Sequence, residues 1–172
     1  MKKIEAILQE VGKITLKFSR LEHLALEYIS VLISGVDTVD NHMIFQNDSL
    51  DKKLENLKKL IHLKSNGHRE EQQLETISKI KNFKNKRNLF IHGDWGNIEN
   101  AIEYDFETIS VIDTKTRYNQ QLDNAKNITE KGWSPQRKIN FTILDLKEIQ
   151  NDIDLLNSEL IDHINSNRNT NK

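Results

Sequence analysis

The segment Lys79–Trp95 reads KIKNFKNKRNLFIHGDW. It opens strongly cationic, with Lys79, Lys81, Lys84, Lys86 and Arg87 crowded into about two and a half helical turns. An apolar run of Leu89, Phe90 and Ile91 follows, then His92, then Gly93, a residue suited to ending a helix. The chain as a whole carries a net charge of only −1. Any nucleic-acid binding must therefore come from this local cluster, which attracts phosphate. Arg87 adds a planar anion fork, and His92 a group that exchanges protons near neutral pH.

Working outward, the helices on either side follow from periodicity. Ile4, Ile7, Val11, Ile14, Phe18, Leu21, Ala25, Tyr28 and Leu32 recur at steps of three and four, the spacing of one buried stripe. This predicts a central first helix over about 3–34, ending at Ser34-Gly35. The same spacing also suits a dimer seam. Val36–Asn47 lacks a helical period and reads as a loop whose Met43, Ile44 and Phe45 tuck back onto the core. Asp48 or Ser49 can cap a second helix over 49–65, with Leu50, Leu54, Leu57 and Ile61 buried and Asn66-Gly67 closing it. A third helix over 69–93 buries Leu74, Ile77, Ile80 (or Lys81) and Phe83, and delivers the basic segment at its end.

Beyond Trp95 the period changes. Ile102, Tyr104 and Phe106 alternate, as do Ile109 and Val111, then Ile139, Phe141 and Ile143. Such alternation predicts two or three short antiparallel strands over about 98–143, separated by the polar loop Thr114–Gly132. A last helix over 145–164 buries Leu146, Ile149, Ile153, Leu156, Leu160 and Ile164. The remainder, 166–172, reads as a disordered tail. The expected architecture is mainly α: an up-and-down bundle of about four helices with a small antiparallel β insertion before the last, in one domain over 1–165.

Composition narrows the class. Charged residues make up 30% and hydrophobic ones 36%, which suits a soluble globular chain. The absence of cysteine excludes disulfides and thiolate metal sites. No apolar run approaches the ~20 residues of a membrane span, and Glu5 and Glu10 interrupt any signal-peptide core. These features predict a cytoplasmic protein without membrane contact. His23, His42, His62 and His68 lack close ligand spacing, and His92-Gly93-Asp94 has nothing nearby to complete a shell. No phosphate-binding glycine loop or dinucleotide fingerprint occurs. No metal and no cofactor are expected.

Successive helical residues turn by about 100°, so Lys84, Asn88 and His92 share one stripe, while Arg87 and His92 diverge by about 140°. Arginine is long enough to reach a phosphate held beside His92. Asn88 can orient the His92 ring or bind substrate through its amide. RNA is cut when its 2′-hydroxyl attacks the adjacent phosphorus. A base takes the 2′ proton, an acid protonates the leaving 5′ oxygen, and a cation balances the phosphorane. One chain offers one motif histidine. Two chains about a two-fold axis offer two histidines and two arginines around one cleft.

Arg87-Asn88-Leu89-Phe90-Ile91-His92 resembles the R-x4-6-H signature of the HEPN superfamily, including a polar residue just after the arginine. The resemblance spans most of the chain, since the motif sits late in a helix preceded by two helices and followed by another. It implies a helical bundle acting as a homodimer with a composite active site. It further implies a metal-independent endoribonuclease, with Arg87 and His92 catalytic, Asn88 assisting, and products bearing 2′,3′-cyclic phosphate and 5′-hydroxyl ends. Lys81, Lys84 and Lys86 are the RNA-binding candidates. Such proteins commonly serve as toxins or phage-defence effectors, some with a nucleotidyltransferase antitoxin. That branch shows R-x4-H-x-Y, the tyrosine being the site of nucleotide transfer. Here Asp94 stands in its place, so silencing by that route is not expected to carry over.

Plainer readings stand beside these. His92 can bond a backbone carbonyl and favour the helix dipole. The lysines can form a solvated face, and Trp95 can plug the core where it could otherwise stack a base. Trp133 sits in the polar loop, with either role open to it. Glu22 and Glu27 are expected to face solvent. The alternative function is a non-catalytic HEPN-like module that binds RNA or a protein partner.

Overall fold

The computed structural model describes residues 2–65, 67–92, 108–112 and 138–170, with the side chains of 5–65, 67–88 and 142–168. It contains α1 (Lys2–Ser34), α2 (Val39–Phe45), α3 (Leu50–Lys64), α4 (Gly67–His92), β1 (Thr108–Ile112), β2 (Lys138–Thr142) and α5 (Ile143–Thr170).

α1 forms because its apolar positions keep the 3.6 period for nine turns. Ile14, Phe18, Leu21, Ala25, Tyr28, Ile29 and Leu32 are all buried on it. It stops where Gly35 takes φ 77° and donates its N–H back to the Val31 carbonyl at 2.8 Å. α3 starts at Ser49, whose hydroxyl accepts from the Lys52 N–H. Gly67, at φ 59°, opens α4 in a backbone conformation that a Cβ would strain. α5 starts on a reciprocal cap: Asp145 accepts from the Thr142 N–H (2.6 Å) and hydroxyl (2.8 Å), and the Asp145 N–H donates to the Thr142 hydroxyl at 3.1 Å.

Contacts between helices fix their directions. Gln150 donates to Glu10 at 2.5 Å, Asn157 to the Lys17 carbonyl at 3.5 Å, Asn167 to the Tyr28 hydroxyl at 3.3 Å, and Arg168 to Glu27 at 2.8 Å. The offset stays near 140 residues in every pair, so α1 and α5 run parallel. α4 runs against α3, through Ser65–Gln73 (2.6 Å), His62–Glu70 (2.5 Å) and Lys84–Asp51. α3 itself runs parallel to α1. Its last residue, Lys64, shares a cavity of about 280 Å³ with Val31–Gly35, Arg69 and Asn167, while Asp51 at its start pairs with α4 near Arg87, which faces Phe18.

The expected fold is corrected here. Among the described residues there are five helices, not about four, and they alternate in direction, with α1, α3 and α5 running one way and α2 and α4 the other. The extra helix is α2, which falls inside the stretch read as a loop. It is capped by Thr38 and carries no buried residue, so it left no apolar stripe to read. It runs back down α1, with Thr38 and Asn41 bonded to Ser30 and the His42 ring 5.7 Å from His23. That return lets α3 start low and climb beside α1. The expected tail is also corrected: α5 continues to Thr170, and Asn167 is buried in it. Ile80, and not Lys81, takes the buried position on α4. Glu27 is held by Arg168 and does not stand free in solvent.

β1 and β2 pair antiparallel, with Ile109 opposite Phe141 and Val111 opposite Ile139. β2 passes straight into α5. The alternation at Ile102, Tyr104 and Phe106, the loop Thr114–Gly132, Trp95 and Trp133 lie outside the described residues.

Candidate functional site

Arg87 lies one turn before the end of α4, and its side chain turns inward. Its guanidinium carbon sits 5.4 Å from the centre of the Phe18 ring on α1, a cation held against an aromatic face. Its Nη1 donates to the Asn88 side-chain oxygen at 3.1 Å. Its Nε is buried and has no hydrogen-bond partner among the described residues. Asn88 thus spends its acceptor on Arg87. This gives it a role the sequence did not separate from orienting His92 or binding substrate. His92 is the last residue of α4; its side chain, with those of Leu89, Phe90 and Ile91, lies outside the described set, as does Asp94.

The cationic cluster is partly neutralised within the chain. Lys79 bridges Glu75 at 3.2 Å and Glu159 at 3.3 Å, and those bonds hold its ammonium above the ordinary lysine range. Lys84 pairs with Asp51. Lys86 lies 5.0 Å over the Phe83 ring, and Lys81 is exposed. Among the described residues, Lys81, Lys86 and Arg87 make no ion pair. The positive charge open to a phosphate is therefore smaller than the sequence suggests, and it is concentrated at the C-terminal half of α4.

A second constellation escaped sequence reading. Thr76 on α4 donates its hydroxyl proton to Glu159 at 2.8 Å, with the Gln72 carbonyl at 3.2 Å. A hydroxyl has one proton, so the 3.1 Å contact between Thr76 and His163 Nε2 has the imidazole as donor. The His163 ring stacks on Tyr28 at 6.2 Å and 17°. Burial, opposed by Glu159 and Asp162 and aided by Arg69 and Lys79, pulls His163 below the ordinary histidine value. Burial likewise pushes the Tyr28 hydroxyl well above the ordinary phenol range. The signal was the Glu159–His163 pair at i, i+4, which put a carboxylate and an imidazole on one face of the last helix. This network ties α1, α4 and α5 together away from the Arg87 end.

Among the described residues no group of three or more His, Cys, Asp or Glu is placed to hold a metal ion, and no helix is long and apolar enough to cross a membrane. No family model matches the chain, and no curated protein or solved structure matches it either.

Proposed function

We propose that this chain is a metal-independent endoribonuclease of HEPN type, working as a homodimer in the cytoplasm as a toxin or phage-defence effector. The observation that carries the reading is the placement of Arg87. It is held by Phe18 and Asn88 near the end of α4, five residues before His92 on the same helix. An arginine fixed in advance loses less side-chain freedom on meeting a phosphate. In the proposed reaction the 2′-oxygen attacks phosphorus and the bond to the 5′-oxygen breaks. One His92 of the dimer accepts the 2′ proton and the other protonates the 5′-oxygen. Arg87 balances charge on the phosphorane. The products are a 2′,3′-cyclic phosphate and a 5′-hydroxyl. Lys81 and Lys86 supply flanking phosphate contacts, and Lys84 does so on release from Asp51. An antitoxin partner would have to silence the enzyme by a route other than modification of the position held by Asp94.

The test is incubation of purified protein with RNA in excess chelator. Cleavage that disappears in Arg87→Ala and in His92→Ala supports the reading, and cleavage that survives both overturns it. One observation favours the second reading, a non-catalytic RNA- or protein-binding module: Lys79 and Lys84 are already engaged by carboxylates. That reading predicts binding without cleavage, and binding that both variants retain.

A further inference from the structure

α1 carries an exposed face that the described residues leave uncovered. Leu8 and Leu16 are 57% and 74% exposed. They lie four residues before and four after Gly12, roughly 12 Å apart along the axis and about 80° apart around it, within one apolar stripe. Gly12 is exposed, and a Cβ built on it meets nothing within 4 Å. Packing among the described residues therefore does not require glycine there, although a helix-interior glycine costs about 1 kcal/mol relative to alanine. What a missing side chain allows is close approach of another backbone.

Opposite charges flank this face, Glu5 seven residues before Gly12 and Arg20 eight after it. Glu5 and Arg20 are both exposed, and neither makes an ion pair among the described residues. A two-fold axis across α1 at Gly12 sets Leu8 against Leu16 of the partner subunit and Glu5 beside Arg20 of the partner subunit. Each contact then occurs twice, as an isologous interface demands. Other exposed leucines lack this organisation: Leu144 and Leu155 on α5 have Glu148, Asn151 and Asp152 between them.

We infer that the Leu8–Gly12–Leu16 face of α1 is the docking surface for a second copy of this chain, with the two α1 helices crossing antiparallel at Gly12. The face lies level with the functional end of α4, since Phe18, two residues beyond Leu16, is the ring that Arg87 meets. The interface stands on its own observations; that it brings two Arg87–His92 ends to one cleft rests on the ribonuclease reading.

The chain has no cysteine, so one introduced thiol reports cleanly. Gly12→Cys places two thiols at the axis, within disulfide reach only if the helices cross there. Under mild oxidation it is expected to give a covalent species of twice the 20.1 kDa chain mass, while Leu155→Cys stays single. Leu8→Glu with Leu16→Glu is expected to weaken dimerisation by more than tenfold with the circular dichroism unchanged. Glu5→Lys is expected to weaken it too, and Glu5→Lys with Arg20→Glu to restore it. A monomeric wild-type chain, or a dimer that Gly12→Cys does not link and the glutamates do not weaken, overturns the interface. A linked dimer that leaves RNA intact keeps the interface and discards the ribonuclease. Cleavage without the link does the reverse.

Discussion

The guanidinium carbon of Arg87 stands 5.4 Å from the centre of the Phe18 ring, joining the end of α4 to the middle of α1. Phe18 is buried, so the ring holds the arginine from the core side. Phe18→Leu retains an apolar filling but removes the aromatic face, a contribution of about 1 kcal/mol at a site of this kind. Single-turnover RNA cleavage is expected to fall about fivefold in Phe18→Leu. Removing the charge itself with Arg87→Ala is expected to abolish detectable cleavage, a loss of at least about 10²–10³-fold.

Asn88 serves Arg87 through an acceptor oxygen. Asn88→Asp keeps that acceptor and Asn88→Ala removes it. The alanine variant is expected to lose about tenfold in cleavage, the worth of roughly one hydrogen bond, with the aspartate variant closer to wild type. The opposite order would mean that the amide N–H₂ acts on RNA or on His92.

His163 makes stability depend on pH. Burial lowers its folded value below the ordinary 6.5. Above that ordinary value both states are neutral and nothing is lost. As pH falls below it, the unfolded chain takes up the proton first and stability declines toward the lowered folded value. Comparing melting temperatures at pH about 7.5 and about 5.5 should show a drop in wild type and a smaller one in His163→Gln, which can still donate to Thr76. Glu10 and Asp145 act further down. Bonds from Lys13 and from the Thr142 backbone hold them below 4.5 and 3.8 respectively. Their stabilisation is complete above those ordinary values and is lost as pH falls through the lowered ones.

The Thr142–Asp145 cap starts the helix that lies along the whole of α1. Thr142→Ala is expected to cost about 1 kcal/mol in urea unfolding, and Thr142→Ser to cost much less. An equal loss in both would place the effect in the β2 pairing and not in the cap.

The long helices were legible because Ile14, Phe18, Leu21 and Tyr28, or Leu146, Ile153 and Leu160, repeat with the helical period wherever a face is buried. Direction was not legible, because a stripe reads the same whichever way its helix runs. Parallel packing of α1 and α5 is written in Gln150, Asn157 and Asn167, polar residues whose partners are about 140 positions away. α2 escaped notice because only Phe45 of it packs, partly buried, against the core, and its clearest mark is the Thr38 cap. At the candidate site the residue types were legible and their pairing was not. No local pattern announces that Lys84 meets Asp51 or that Arg87 meets Phe18, since both contacts join separate elements.

The central claim is that Arg87 and His92 together cut RNA. Its most direct measurement is end-group analysis of RNA incubated in chelator with wild type, Arg87→Ala and His92→Ala. The account predicts 2′,3′-cyclic phosphate and 5′-hydroxyl ends from wild type and intact RNA from both variants. Intact RNA from wild type, or the same products from either variant, would contradict it.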